Sequence, residues 1–280
     1  MKTIEGKTFT GERALFQTRD AEILSCRFED GESPLKESRN LVLKNDAFAW
    51  KYPLWYGKRI SVTDCAFLPG ARAGVWYTEN ASFSNLVYEA PKGFRACKGL
   101  AIRNVEFVNA EETLWWNEGV EMVDVKARNA AYFGMYMKNA HIENLDLVGD
   151  YAFDHAENII ISHSVLKTKD AFWNAKNATL VGCVIEGEYF AWNATNLALI
   201  DCKVVSHQGF CYISGLRIQN GDLTGTDLCF EYCSRIDATL SSSPVSIKNP
   251  VSGRISLPSK AEIIQDDPGI DLDGVEIIVA

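Results

Sequence analysis

The stretch Leu100-Ala-Ile-Arg-Asn-Val-Glu-Phe107 decides the fold of this chain, because its pattern returns every 19 to 21 residues. Two apolar residues lie two positions apart, an Asn or Asp follows, and two further apolar residues again lie two apart. The same order is found at 120–127, 197–204 and 216–223. Because apolar residues that alternate with polar ones mark a strand with one buried face, each repeat is predicted to contain short strands.

A column of small polar residues lies between the two apolar pairs of each repeat. Asn and Asp tolerate left-handed backbone geometry and hydrogen-bond their own backbone, which suits a tight corner between strands. Eight of the eleven residues in the column are Asn or Asp, so a corner is expected in every repeat. The column consists of Ser25, Asn45, Asp64, Asn85, Asn104, Asp124, Asn144, His163, Gly182, Asp201 and Asn220.

The fixed period predicts a solenoid, which grows in one dimension and so does not split into two domains as a chain of 280 residues otherwise could. We expect an all-β, single-stranded parallel β-helix of about 11 rungs, each with three short strands and with rungs about 4.8 Å apart. A leucine-rich repeat shares this period. However, the Asn falls one residue too early for that motif and Leu does not dominate its columns, which favours the β-helix.

Composition and charge exclude several classes of function. The net charge of −9 and the pI near 5.1 lack the basic footprint of a nucleic-acid-binding protein. No apolar run approaches the roughly 18 residues of a membrane span, and no apolar segment of a signal peptide follows Met1. We therefore expect a cytoplasmic protein without nucleic-acid or membrane partners, whose eight cysteines are free thiols.

Metal and cofactor motifs are also missing from the sequence. The four histidines are spread over several repeats, and no H-x-x-x-H or C-x-x-C pair is present to hold a metal ion. Glycine-rich phosphate loops and serine nucleophile elbows are not found either. The sequence therefore predicts no metal and no cofactor.

The array and its Trp- and Tyr-rich repeats resemble the pectate-lyase-like superfamily of right-handed parallel β-helices. More narrowly, they resemble the bacterial family catalogued as domain of unknown function 3737. The resemblance covers nearly the whole chain and implies a right-handed β-helix, but it implies no activity. Residues 1–240 are expected to form the β-helix, with 1–13 as an N-terminal cap. The rhythm breaks at Ser241-Ser-Ser-Pro, so 241–280 are expected to form a C-terminal β-rich cap packed on the same domain.

The segment before each apolar pair is predicted to be a strand with one core column and one surface column. The core column includes Trp55, Trp76, Trp115, Trp173 and Trp192. The surface column mixes aromatic planes with carboxylates, ammonium groups and amides, a mixture typical of carbohydrate-binding sites. A solvated face with alternating Glu and Lys is the alternative. The densest patch of this column consists of Trp116, Glu118, Tyr136, Lys138, His155, Glu157, Asn174 and Lys176.

Four apolar residues beside this patch share its outward parity. They either form an exposed patch that a partner, a second copy or the tail covers, or they lie at a corner and turn inward. These residues are Leu114, Phe153, Phe172 and Phe210.

Asp154 interrupts the core column between Met135 and Trp173. A desolvated carboxylate has a raised pKa, which is the setting of a catalytic acid. Asp154, His155, Glu157 and Glu118 are therefore the candidate catalytic residues. The alternative, which we favour, is a local bulge that turns Asp154 outward.

Three functions remain open at this point. The first is a non-catalytic binding or scaffold protein with an oligosaccharide or protein partner. The second is a carbohydrate-active enzyme, either a polysaccharide lyase or a glycoside hydrolase, and the third is a structural module that forms a homo-oligomer. The chain does not align with the catalytic residues of polygalacturonases or pectate lyases, which favours the first function.

Overall fold

The computed structural model describes residues 2–279, which divide after Asp146 into two compact units. Each unit is a stack of parallel β-strands in which each strand pairs with the strand one turn later in the chain. Between residues 2 and 279 there is no α-helix, and a single 3-10 turn occupies Leu272–Gly274. The prediction of a parallel β-solenoid is confirmed.

The first unit contains eight turns. Its strands are β1 (Lys2–Glu5), β2 (Thr8–Phe9), β3 (Arg19–Leu24), β4 (Arg27–Phe28), β5 (Arg39–Lys44), β6 (Ala47–Phe48), β7 (Lys58–Thr63), β8 (Ala66–Phe67), β9 (Glu79–Tyr88), β10 (Lys98–Phe107), β11 (Glu118–Ala127) and β12 (Lys138–Val148). The last two residues of β12 belong to the second unit. β1 pairs with β3 and β2 with β4, so residues 2–9 already contribute to a first turn.

The second unit contains seven turns. Its strands are β13 (Glu157–Ser162), β14 (Val165–Lys167), β15 (Lys176–Val181), β16 (Val184–Glu188), β17 (Thr195–Ile200), β18 (Lys203–His207), β19 (Ser214–Asp222), β20 (Ser234–Ser242), β21 (Ser246–Lys248), β22 (Gly253–Leu257), β23 (Glu262–Ile264) and β24 (Val275–Val279). The parallel pairing runs from β20 to β22 and on to β24, so the segment after residue 240 adds turns of its own.

The two units together have about fifteen turns, against about 11 in the sequence-based prediction. The difference lies at the ends, where the Asn/Asp pattern is missing. Gly6 takes the corner position of the first turn with a φ of 64°. The turns after Asn220 have no Asn or Asp in the corner column.

The corners form as predicted. All eleven residues of the corner column have positive φ values, between 49° and 60°. Their side chains also hydrogen-bond along the stack, as when the amide of Asn104 donates to Asn85 Oδ1 at 2.9 Å and that of Asn144 donates to Asp124 Oδ1 at 2.6 Å. The Asn and Asp residues thus supply both the turn geometry and a bond between turns.

The third side of the turns is not a strand except in the last two turns, where the short strands β21 and β23 occupy it, which corrects the prediction of three strands in every turn. Positive and negative φ values alternate there, as at Glu112, Leu114 and Trp116, whose φ values are 50°, 64° and 55°. This backbone turns inward the side chains that strand parity had placed outside. Leu114, Phe153, Phe172 and Phe210 are accordingly fully buried, so they form no exposed apolar patch.

The core of the first unit contains a column of aromatic rings stacked along the solenoid. Phe28, Phe48, Phe67 and Tyr88 are buried, and the centroids of successive rings are 4.6 to 4.8 Å apart. Burial of each ring contributes roughly 1.5–3 kcal/mol to folding. The repeat of the sequence is therefore a repeat of buried side-chain columns.

Candidate functional site

Four residues of the predicted patch lie in the first unit. Trp116 is 48% exposed and stacks on Tyr136, with ring centroids 5.7 Å apart and planes 7° from parallel. Glu118 is paired with Lys98, whose Nζ lies 3.6 Å from its carboxylate. Lys138 is exposed, and its backbone N–H donates to Asn117 O at 2.8 Å. The structure thus brings Trp116 and Tyr136 together in a two-ring stack at the surface.

The other four residues of the patch lie in the second unit. Asn174 accepts a hydrogen bond from the amide of Asn193 at 2.7 Å. Glu157 and Lys176 occupy matching positions on the neighbouring strands β13 and β15. His155 is exposed through 41% of its side chain. In this unit the column is mainly polar.

Asp154 is buried, with 8% of its surface exposed, so the favoured expectation that it turns outward is wrong. Its Oδ1 lies 2.7 Å from Nδ1 of the neighbouring His155. The backbone turns in this segment keep Asp154 inside while they leave the imidazole at the surface. A buried carboxylate therefore orients an exposed histidine.

The predicted core column of tryptophans lies outside the core. Trp55, Trp76, Trp115, Trp173 and Trp192 are all half-buried. The reason is again the alternating backbone of the third side, on which the residue two positions further on, such as Asn117, is the buried one.

The indole rings are fixed by contacts between turns. Trp55 stacks on Trp76 with ring centroids 5.0 Å apart. The indole N–H of Trp55 donates to Ala73 O at 2.6 Å, and that of Trp76 donates to Lys92 O at 2.8 Å. The Trp column is therefore an external ladder of rings that supports the surface column beside it.

The structure adds a candidate site that the sequence analysis did not single out. A concavity of about 340 Å³ lies on the first unit, next to the stacked rings of Tyr56 and Tyr77, whose centroids are 4.8 Å apart. Both rings are exposed, through 45% and 39% of their surface. The residues lining the concavity are Gln17, Arg19, Glu37, Arg39, Tyr56, Lys58, Tyr77 and Glu79.

A second concavity of about 590 Å³ adjoins the first. Its lining residues Asn40, Arg59 and Asn80 directly follow Arg39, Lys58 and Glu79 on the same strands. Its floor is made of small side chains, which explains the depression, since the neighbouring columns carry long side chains. The floor consists of Val42, Ser61, Ser82 and Ala101. We call the two concavities together the first-unit groove.

The charges of the first-unit groove are partly compensated. Lys58 donates to Glu79 at 2.8 Å and holds the pKa of that carboxyl below its usual value. Gln17 donates to Glu37 at 2.9 Å. Arg19 and Arg39 are exposed and form no ion pair with any residue between 2 and 279. Two guanidinium groups beside two aromatic rings can therefore donate hydrogen bonds to a ligand.

The sequence held a signal for this groove that periodicity alone did not reveal. Val42, Ser61, Ser82 and Ala101 occupy one outward position in four successive turns, and none of them is large and polar. Aligned by turn, a run of small residues on an otherwise charged face indicates a depression.

Two further properties bear on the class of site. No group of three or more His, Cys, Asp or Glu side chains in the described chain is arranged to hold a metal ion. Within residues 2–279, no helix has the length and hydrophobicity needed to span a bilayer.

The fold and the groove define a parallel β-solenoid protein whose outer face carries stacked aromatic rings among charged side chains. The chain belongs to the family described as "Protein of unknown function (DUF3737)", whose model matches residues 2–278. No curated protein sequence matches it significantly.

Several solved structures are similar to this chain. The A-module of mannuronan C-5 epimerase AlgE4 from Azotobacter vinelandii is 9% identical, with a TM-score of 0.42, over 99% of this chain and 91% of that chain. The pentapeptide repeat protein HetL from Nostoc sp. strain PCC 7120 is 10% identical, with a TM-score of 0.25, over 79% and 92%. The surface adhesin PfbA of Streptococcus pneumoniae is 10% identical, with a TM-score of 0.31, over 79% and 71%. At these values the likenesses carry no inference about activity.

Proposed function

We propose that this protein is a non-catalytic binding protein that holds an oligosaccharide in the first-unit groove. The observation that carries the proposal is the stacked pair Tyr56 and Tyr77 beside the unpaired guanidinium groups of Arg19 and Arg39. Aromatic planes offer an apolar surface to the C–H faces of sugar rings, while arginine donors bind hydroxyl or carboxylate oxygens. The groove combines both on one surface.

The pairing of the carboxylates supports binding over catalysis. Glycosidases need two carboxyl groups around a cleft, one of which acts as an acid. In the first unit Glu79 is bonded to Lys58 and Glu118 is paired with Lys98. The ammonium group of Lys58 lowers the pKa of Glu79, so this carboxyl is a poor proton donor.

The proposal includes a cytoplasmic location. All eight cysteines are buried and none is in a disulfide. Unbridged cysteines in this number are typical of reducing compartments, because disulfides persist mainly in oxidising ones.

A titration of purified protein with single oligosaccharides tests the proposal. Xylohexaose, chitohexaose and hexagalacturonate are the probes, and isothermal calorimetry is the readout. The double variant Arg19→Gln/Arg39→Gln should weaken the best probe by about tenfold or more, since a charge-assisted hydrogen bond contributes about 1.5–3 kcal/mol.

Arg217→Gln is the matched control, because Arg217 is an exposed arginine of the second unit. It should leave the affinity unchanged. Binding of none of the probes, or equal losses in the double variant and the control, would overturn the proposal.

A second candidate function rests on Asp154 and His155. A buried carboxylate 2.7 Å from an imidazole Nδ1 holds that ring in one orientation, as an acid–base catalyst requires. This favours the carbohydrate-active enzyme as the alternative. Loss of lyase or hydrolase activity in Asp154→Asn, measured on the same oligosaccharides by product chromatography, would support it. The absence of any activity in the wild-type protein would reject it.

A further inference from the structure

The outer aromatic column of the first unit is interrupted at one turn. This column runs over five successive turns. Its residues are Tyr56, Tyr77, Ala96, Trp116 and Tyr136. The register confirms the alignment, because Lys98 pairs with both Glu79 and Glu118, each of which lies two residues after its column member. One turn of the column therefore lacks a ring.

The width of the interruption follows from the spacing of the turns. Neighbouring strands lie about 4.8 Å apart, so the rings of Tyr77 and Trp116 are separated by two spacings, about 9.6 Å. The opposite ring faces are already covered, since Tyr77 stacks on Tyr56 and Trp116 stacks on Tyr136. Among the described residues no ring lies between Tyr77 and Trp116. The interval between Tyr77 and Trp116 therefore holds no aromatic ring of the described chain.

The neighbouring Trp column shows what such an interval accommodates. In the same turn that column has Arg95 between Trp76 and Trp115. The guanidinium Cζ lies 4.4 Å from the ring centroid of Trp76 and 4.5 Å from that of Trp115. The same Cζ lies 5.5 Å from the ring centroid of Trp116, so Arg95 fills the inner interval and also borders the outer one on its inner side.

The rim of the outer interval carries groups of both signs. Lys98 and Glu118 form an ion pair of 3.6 Å on one edge, and Lys92 and Glu112 form one of 3.1 Å on the side of Arg95. The ammonium groups donate hydrogen bonds and the carboxylates accept them, and the hydroxyl groups of a sugar need both kinds of partner. A phosphate would meet a carboxylate on either edge, which disfavours a nucleotide.

We propose that the interval between Tyr77 and Trp116 is a sugar-binding slot that takes one pyranose ring, sandwiched between the two aromatic faces above Ala96. This inference rests on the proposed function and names its central subsite. Tyr77 also lines the first-unit groove, so a chain held there enters the slot.

The rim of the interval, and not its width, favours a sugar over a nucleotide. The neighbouring two-turn interval holds the flat guanidinium of Arg95, so an interval of this width also accepts a flat group. A neutral sugar ring fits the mixed charges of the rim, because it needs both donors and acceptors of hydrogen bonds.

The test fills the slot with a side chain of the column itself. Ala96→Tyr restores an unbroken ladder. Ala96 has a φ of 53°, and Tyr56, Tyr77 and Tyr136 adopt the same left-handed geometry, with φ values of 57° to 58°. The variant should therefore fold, with a melting temperature equal to or above that of the wild-type protein.

One control separates blockage of the slot from a general effect of an added tyrosine. Asn193→Tyr adds a tyrosine at the equivalent exposed position of the second unit, where φ is 58°. Affinity for the best oligosaccharide of the panel, and for adenosine as a flat probe, is measured by calorimetry.

The expected result is at least a tenfold loss of oligosaccharide affinity in Ala96→Tyr, with wild-type affinity in Asn193→Tyr. Oligosaccharide binding that survives in a folded Ala96→Tyr protein would overturn the slot and leave the proposed function standing. Binding of adenosine in preference to the oligosaccharide would overturn the assignment to a sugar. A wild-type protein that binds no oligosaccharide would overturn both proposals.

Discussion

The guanidinium of Arg95 lies 4.4 Å from the ring centroid of Trp76, and with Trp115 on its other face it continues the external Trp ladder. Its Nη2 is also 3.1 Å from Glu112 Oε2. The side chain is 17% exposed, and its Nε has no partner within the described chain. One arginine thus joins three turns of the first unit.

Arg95→Ala should therefore destabilise the protein by about 2–4 kcal/mol, because two partly desolvated cation–π contacts of about 1 kcal/mol or more each and an ion pair are lost. The free energy of unfolding in urea measures this loss. Arg103→Ala is the control, since Arg103 is exposed on β10. Equal stabilities of the two variants would contradict the role of Arg95.

Asp46 makes stability depend on pH. The side chain is buried in the first unit, where its Oδ1 accepts from the backbone N–H of Cys26 at 2.7 Å and its Oδ2 has no partner within the described chain. Desolvation raises its pKa from 3.8 to about 7. The folded protein therefore prefers the neutral carboxylic acid.

The sign of the effect follows from this raised pKa. Below pH 4 the group is protonated in both states and costs nothing. Between pH 4 and 7 the unfolded chain ionises first, so the contribution to stability falls by up to about 1.4 kcal/mol per pH unit, and above pH 7 it stays lost.

Asp46→Asn keeps an oxygen for Cys26 and removes the titration. At pH 8 the variant should be more stable than the wild-type protein by roughly a few kcal/mol, because the wild-type protein has lost the contribution of the raised pKa of Asp46. At pH 4 the two proteins should be similarly stable. Urea denaturation at both pH values provides the measurement. A stability difference that does not change with pH would show that Asp46 is not the titrating group.

Tyr88 lies between Phe67 and Phe107 in the core column and is fully buried. Its hydroxyl has no hydrogen-bond partner among residues 2–279. Tyr88→Phe should stabilise the protein by about 1 kcal/mol or more, because an unpaired buried hydroxyl costs about 1–3 kcal/mol. Thermal unfolding measures the change.

Gly74 makes room for that hydroxyl. A Cβ at residue 74 would lie 2.7 Å from the Tyr88 oxygen. Gly74→Ala should cost about 1–3 kcal/mol through overpacking, and less in the Tyr88→Phe background. Strictly additive effects of the two substitutions would show that the contact is relieved elsewhere.

Trp116 is expected to contribute to ligand binding directly. Trp116→Ala removes one wall of the slot and should lower the affinity for the best oligosaccharide by tenfold or more. The reason is that truncation of an aromatic hot-spot residue costs about 2 kcal/mol or more of binding free energy. Trp192→Ala in the second unit is the matched control and should leave the affinity intact. Calorimetry with both folded variants decides between a local role of Trp116 and a general effect of losing an indole ring.

The fold could be predicted from the sequence because its signal is local and repeated. Asn45 and Asn104 are corners in the sequence pattern and corners in the structure, since left-handed geometry favours Asn at any position of the chain. Strand parity served equally well for pairs such as Leu100 and Ile102, which are both buried.

Parity failed where the backbone left the extended region. Trp55 was predicted to be core and is half-buried, and for Leu114 the alternative of an inward turn holds, because φ values alternate in sign on the third side. Those φ values arise from the coiling of the whole turn and not from the type of residue, because Leu114 and Trp116 adopt left-handed geometry without a preference for it. The groove and the slot depend on this coiling, so single-residue patterns did not reveal them.

The most direct test of the account is a crystal structure of the protein with the oligosaccharide that binds best. One pyranose ring is expected between Tyr77 and Trp116, with the rest of the oligosaccharide lying towards Arg19 and Arg39. An oligosaccharide bound elsewhere on the molecule, with the interval above Ala96 empty, would contradict it.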